Sequence, residues 1–266
     1  MMRKRNIFPI VILMIVCIAA LAFAQTAGVR KKKPQRHEYG NVVMNNSSEK
    51  NKIAPVVYNH WLHRALYTCR LCHVDIGFAM EAGDTRATMD DNKNGLYCGA
   101  CHNGKEAFAL EEKGILGAAS KKNCERCHSY GQKVEFDKDF YKFTKGFPMA
   151  KFGDKINWIK TEEAGLIKLK DYLEGVSIKT KTLNYSADTE IKSNITEMPD
   201  IIFSHKKHAV WNGCELCHPD IFGVKKGATK YTMQDIFAGK YCGACHGKVS
   251  FSDLDCQACH IKDINE

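Results

Sequence analysis

Twelve cysteines of this chain fall into six Cys-x-x-Cys pairs, and a histidine follows every pair directly. The strings are Cys69-Arg-Leu-Cys72-His73, Cys98-Gly-Ala-Cys101-His102 and Cys124-Glu-Arg-Cys127-His128, then Cys214-Glu-Leu-Cys217-His218, Cys242-Gly-Ala-Cys245-His246 and Cys256-Gln-Ala-Cys259-His260. Side chains at i and i+3 share one face of a helical turn, so both sulfurs can reach the two vinyl groups of one porphyrin. The next histidine lies under the ring and offers an imidazole to the iron. Cys-x-x-Cys-His is the attachment signature of c-type haem. Six strings therefore predict six covalently bound haems c.

Other uses of cysteine explain less. A thioredoxin-like redox site needs one Cys-x-x-Cys and gives no reason for the histidines. Zinc sites would pair such units and leave six histidines surplus. A disulfide framework suits an even cysteine count in an exported protein, but it does not account for the spacing.

The far side of each iron decides function, because an iron with two protein ligands moves electrons and an open one can bind a small molecule. Five histidines lie outside the motifs: His37, His60, His63, His205 and His208. His60 and His63 stand nine and six residues before Cys69, and His205 and His208 stand nine and six before Cys214. An i, i+3 pair on one helical face can serve two neighbouring haems, and imidazole is a common metal ligand. One iron per set of three is then left without a histidine. Met89 and Met233 are the candidates; each follows a threonine and lies nine residues before Cys98 or Cys242. A thioether ligand raises the potential relative to bis-histidine. His37 has no counterpart and is not expected to ligate.

The elements that position these groups are duplicated. "NHWLHRALYTCRLCHVDI" matches "SHKKHAVWNGCELCHPDI", and "ATMDDNKNGLYCGACHNGK" matches "YTMQDIFAGKYCGACHGK". The expected layout is a signal peptide at 1–24, a polar N-terminal tail at 25–55, a triheme module at 56–130, a connector at 131–200 and a second triheme module at 201–262. The connector lacks cysteine and histidine but holds Phe136, Phe140, Tyr141, Phe143, Phe147, Phe152 and Trp158. That is too aromatic for a disordered linker, so it should be ordered and packed on one or both modules. A helix is expected within "NWIKTEEAGLIKLKDYLEG" and a strand within "VSIKTKTLNY". Each module is small for a protein-only core, and haem supplies the missing apolar bulk. The expected fold is mostly irregular and α-helical: short helices and loops wrapped around stacked haems, with little sheet. The apo-protein should not fold.

Residues 1–24 carry Arg3, Lys4 and Arg5, an apolar run and Ala22-Phe23-Ala24, the plan of a cleaved secretory signal. Cys17 would leave with it. The protein is expected to be exported, to the periplasm or alternatively to the cell surface or exterior, and to meet a membrane only through the signal before cleavage. Removing the three signal cations takes the net charge from +9 to +6. Six haems would add about twelve propionates and about six ferric charges, leaving the oxidised protein near neutral, so the basic sequence is no nucleic-acid footprint.

At Phe203-Ser-His205-x-x-His208, Thr232-Met233, Gly239-x-Tyr-Cys-Gly-Ala-Cys-His246 and Cys256–His260 the sequence resembles the c7-type triheme cytochromes and their doubled forms in metal-reducing and related anaerobic bacteria. The first module departs in Tyr58-Asn59 for Phe203-Ser204 and in the longer insert before Cys124. The resemblance implies that His60 serves the iron of His73, His63 that of His102 and Met89 that of His128. It likewise implies His205 for His218, His208 for His246 and Met233 for His260. It implies electron transfer in respiration, with other cytochromes, quinol-linked reductases or terminal reductases as partners, and no catalytic residue. A multihaem reductase or haem sensor would need an open iron; a haem-bearing extracellular filament would suit the duplicated modules.

Overall fold

The longest helices of the chain, Phe136–Phe143 and His205–Asn212, have eight residues each among the described residues. A computed structural model describes residues 33–112, 121–129, 136–178 and 188–262; the expected signal peptide lies outside them. Helices this short are marginal alone and hold their shape through what they pack on. Among the described residues there are three two-stranded antiparallel sheets: Val42–Met44 with Val56–Tyr58, Glu111–Glu112 with Lys121–Lys122, and Asp188–Ile191 with Ile201–Ser204. Among the described residues no helix is long and apolar enough to cross a membrane. Short helices and loops with little sheet are what the sequence led us to expect.

Both modules open alike. A strand, Val56–Tyr58 or Ile201–Ser204, runs straight into a helix, His60–Arg64 or His205–Asn212, that carries the histidine pair. Further on, Met89–Lys93 and Met233–Phe237 form matching one-turn helices. Each starts with a capping box: Asp91 N donates to Thr88 Oγ1 while Asp91 Oδ2 accepts from Thr88 N, and Asp235 and Thr232 repeat the exchange. The threonine before each methionine is thus explained by helix initiation.

The hydrophobic core lies where the connector meets the first module. Trp61, Ala65, Phe140, Phe147, Ile156, Trp158 and Ile167 form it, with Leu62, Leu169 and Trp211 at its margin. Trp61 meets Phe140 edge to face at 5.1 Å, and both are almost completely buried. In the second module the positions of Trp61 and Leu62 hold the exposed Lys206 and Lys207. The connector therefore covers one histidine helix and leaves the equivalent face of the other open.

The connector's elements agree with the sequence expectation in part. Its short helix, Trp158–Glu163, lies within the stretch expected to hold one, before Gly175. Gly165 adopts φ +68°, and Leu166 N donates to Thr161 O at 3.0 Å, a glycine-terminated Schellman closure. Val176 lies in a turn rather than the expected strand, whose remainder from 179 falls outside the described residues; the strand of this region is Asp188–Ile191. Helix Phe136–Phe143 has no counterpart in the sequence reading.

Residues 35–55, polar enough to pass for a tail, are instead built into the fold. Arg36 Nε donates to Asp154 O at 2.9 Å, and Tyr39 Oη donates to Ser250 O at 3.2 Å. Val42–Met44 pairs with the first module's strand. These ties run largely through backbone carbonyls and strand pairing, so composition does not reveal them.

Candidate haem-binding sites

Five of the six attachment strings close as one turn, and the first, at Cys69, continues into the π-helix Leu71–Ile76. The histidine N–H donates to the carbonyl of the first cysteine at 2.8 Å in His102 and His128, 3.1 Å in His218, 3.0 Å in His246 and 2.9 Å in His260. None of the twelve motif cysteines is paired in a disulfide. Burial pushes Cys72 and Cys245 up to about 12, and Cys98 and Cys259 up to about 11. A redox-active nucleophile needs a lowered pKa, so these surroundings suit an apolar thioether better than a reactive thiolate.

The glycine of the repeated Tyr-Cys-Gly-Ala-Cys-His string has a steric reason. A Cβ on Gly99 would collide with the carbonyl oxygen of Asn92, and one on Gly243 with that of Ile236. Each middle motif therefore rests directly on the backbone of the methionine helix before it. Tyr97 and Tyr241 enter these turns at φ +46° and +52°, a left-handed conformation costly for an aromatic residue.

Three histidine pairs meet across a gap. His60 and His73 have ring centroids 6.5 Å apart with planes 4° from parallel. His63 and His102 lie 6.5 Å apart at 60°, and His208 and His246 6.3 Å apart at 60°. Two metal–imidazole bonds of about 2.0 Å, with the half-width of each ring, place two centroids about 6.4 Å apart around one metal ion. These three pairs thus have the separation that a single iron between two imidazoles requires. His205 has the same aromatic neighbour as His60: Phe203 meets His205 at 4.8 Å and 89°, as Tyr58 meets His60 at 4.8 Å and 87°. Phe203 also stacks on His208 as Tyr58 stacks on His63, so Tyr58 replaces Phe203 without changing its packing role.

The outer ring nitrogens are fixed as well. Nδ1 faces a backbone carbonyl in His60 (Gly40, 2.5 Å), His63 (Asn59, 2.8 Å), His73 (Phe78, 2.9 Å) and His102 (Phe108, 3.2 Å). The same holds in His128 (Ala54, 2.9 Å), His208 (Ser204, 2.8 Å), His218 (Phe222, 2.6 Å) and His260 (Pro199, 2.6 Å). A carbonyl only accepts, so Nδ1 carries the proton and Nε2 keeps its lone pair for a metal. For His246 the corresponding carbonyl is that of Phe251, at a geometry too loose for a full hydrogen bond. His205 Nδ1 faces Thr189 Oγ1 at 3.4 Å. Ala54 and Pro199 each stand two residues before their module's strand, so the third motif of each module is tied back to the module's start. Burial pushes His60, His63 and His246 down to about 4, which keeps these imidazoles neutral.

Met89 and Met233 are 40% and 39% exposed. Neither is core filler, and both present a thioether at the first position of a matching helix. His37 stands apart, with its ring edge-on to Tyr141 at 6.3 Å. Among the described residues no group of three or more histidine, cysteine, aspartate or glutamate side chains converges to hold a bare metal ion. Beside His73 lies an open cleft of about 680 Å³ lined by Phe78, Leu216 and Ile221 together with Glu81, Asp84, Glu215 and Asp220. Paired imidazoles, fixed tautomers and adjacent cysteines all fit haem c. When bound, haem supplies an iron that gains or loses one electron.

The family model for cytochrome c7 and related cytochrome c matches residues 56–129 and 201–261, together just over half of the chain. The chain belongs to this family. It is a multihaem c-type cytochrome built on a duplicated c7-type module, and electron transfer through covalently bound haem c is the family's work. Among solved structures, a c7-type three-heme cytochrome domain is 39% identical over 30% of this chain and 99% of its own length, with TM-score 0.27. The C-terminal hexaheme fragment of GSU1996 is 26% identical over 86% of this chain and 99% of the fragment, with TM-score 0.25. The dodecaheme cytochrome c GSU1996 is 26% identical over 83% of this chain and 48% of its own length, with TM-score 0.26. No curated protein matches the chain.

Sequence reasoning missed the carbonyl partners of the histidines, which carry no side-chain signal. It also missed the steric need for Gly99 and Gly243. Their signal was present in the identical Tyr-Cys-Gly-Ala-Cys-His strings, had it been asked which residues tolerate a carbonyl so close.

Proposed function

We propose that the chain is a hexahaem electron carrier that is exported and passes electrons between respiratory redox partners in the periplasm or at the cell surface. Six attachment motifs give six haems c. Cys69 to Cys127 would hold three in a module at 56–130, and Cys214 to Cys259 three in a module at 201–262, joined by the connector at 131–200. His73, His102, His128, His218, His246 and His260 are the proximal ligands in this reading. His60, His63, His205 and His208 close four irons and Met89 and Met233 the other two, so every iron has a protein ligand on both faces. The observation that carries the reading is the set of three imidazole pairs at 6.3–6.5 Å. It is supported by outer nitrogens held on carbonyls, which orient a ligand without offering it a proton donor toward the metal.

The partners fitting this reading are other cytochromes, quinol-linked reductases or terminal reductases that dock transiently. Intact mass of the exported protein tests it directly. Six haems on a chain beginning near Gln25 is the expected result; fewer than six, or a retained leader, would overturn the corresponding part.

A further inference from the structure

At Arg64 the first module, the connector and the second module meet around a buried charge. It follows His63 in the first histidine helix, and its guanidinium lies 4.6 Å from the ring centre of Trp158 in the connector and 5.5 Å from that of Trp211 in the second module. One of its terminal nitrogens, Nη1, donates to the carbonyl of Val249. Val249 N in turn donates to Cys245 O at 2.9 Å, so Arg64 is joined through one residue to the middle motif of the second module. Asp154 is the buried acid nearby, held by Trp158 Nε1 at 2.8 Å and Ile156 N at 2.9 Å.

Two haem sites feel this cation. Arg64 stands one turn after His60 on the same helix face, close to the motif that starts at Cys69, and it reaches through Val249 to Cys245, next to His246. Cys69 and His60 belong to the first site of the first module; Cys245 and His246 belong to the middle site of the second. The duplicated counterpart of Arg64 is Ala209, so the second histidine helix has no equivalent charge. Stacking between two indoles and a backbone acceptor fit a guanidinium, which stays charged when buried far more readily than an ammonium.

We propose that Arg64 is a positioning residue of the junction between modules: it clamps the second module onto the first and raises the reduction potentials of the two haems whose sites flank it. A fixed positive charge in a medium of low dielectric favours the state that has gained an electron. The two sites on either side of the boundary are thereby biased together as electron acceptors, and the boundary becomes a preferred place for an electron to dwell. The inference rests on the haem reading above, and haem content of the same samples reports on that reading separately.

The test is a haem-resolved redox titration, by nuclear magnetic resonance, of the holoprotein and three variants. Arg64→Gln keeps a donor for the Val249 carbonyl and removes the charge; two of the six midpoint potentials should shift down and four should hold. Arg64→Lys keeps the charge and should leave the two potentials close to their original values while weakening the stacked contact. Asp154→Asn leaves Arg64 in place and removes the opposing carboxylate, so the same two potentials should shift up, which keeps the test open if Arg64→Gln fails to assemble. Six unchanged potentials in Arg64→Gln and Asp154→Asn would overturn the proposal. A uniform shift of all six, the mark of a merely structural role, would overturn it as well.

Discussion

The imidazole planes of His60 and His73 are within 4° of parallel, while those of His63 and His102 cross at 60°, although both pairs are 6.5 Å apart. Two histidines of one helical turn, His60 and His63, thus meet two motif histidines at different angles. The plane of an axial imidazole decides which iron d orbital its π electrons destabilise. Parallel planes act on the same orbital and split the pair; crossed planes leave the two closer in energy. Electron paramagnetic resonance of the oxidised protein should therefore show at least two kinds of low-spin ferric haem, one rhombic and one more anisotropic. A single homogeneous signal would contradict the ring geometry.

The collision expected at Gly99 and Gly243 is with backbone, which cannot turn aside as a side chain can. Gly99→Ala and Gly243→Ala should each destabilise the protein by about 3 kcal/mol, the upper end of overpacking costs. Thermal unfolding reads the loss, and haem counting by mass should show the middle site of the altered module underfilled.

Trp61 is 1% exposed and joins the first histidine helix to Phe140 of the connector. Trp61→Ala should cost about 3–5 kcal/mol, measured by denaturant titration of the holoprotein. Lys206→Ala, at the duplicated position, is exposed and should change stability little. Equal effects of the two would mean that the connector's aromatic cluster does not cover the first histidine helix in preference to the second.

Burial lowers His60, His63 and His246 to about 4 from an ordinary 6.5. The unfolded chain therefore binds more protons than the folded one between those values, and stability rises with pH across that interval. The protein should be at full stability above about pH 6.5 and lose it progressively as pH falls towards about 4. Melting temperatures measured across that window check the sign; a protein more stable at pH 5 than at pH 7 would contradict it.

Much of the site is legible in the sequence because haem attachment fixes residue types at short range. The Cys-x-x-Cys-His strings and the repeated histidine offset need no tertiary information. What stays hidden works through backbone or long separations. Gly40 and Ala54 act through carbonyls, which any residue has. The strap at 35–44 is polar by composition and yet tied down through the carbonyls of Asp154 and Ser250. A short helix before Gly175 is legible, but its end is set by the Leu166 N to Thr161 O closure at Gly165, which only the backbone shows. Trp61 and Lys206 occupy the same place in a duplicated motif, and only the packing of the connector tells which face is covered.

The central claim is that every iron is closed on both faces by protein. Carbon monoxide binding to the fully reduced holoprotein, followed by absorption, tests it most directly. No rapid spectral change is expected, because carbon monoxide must displace a histidine or a methionine at each haem. Rapid binding at one or two haems would contradict the claim, beginning with Met89 and Met233, and would put a reaction site where a carrier needs none.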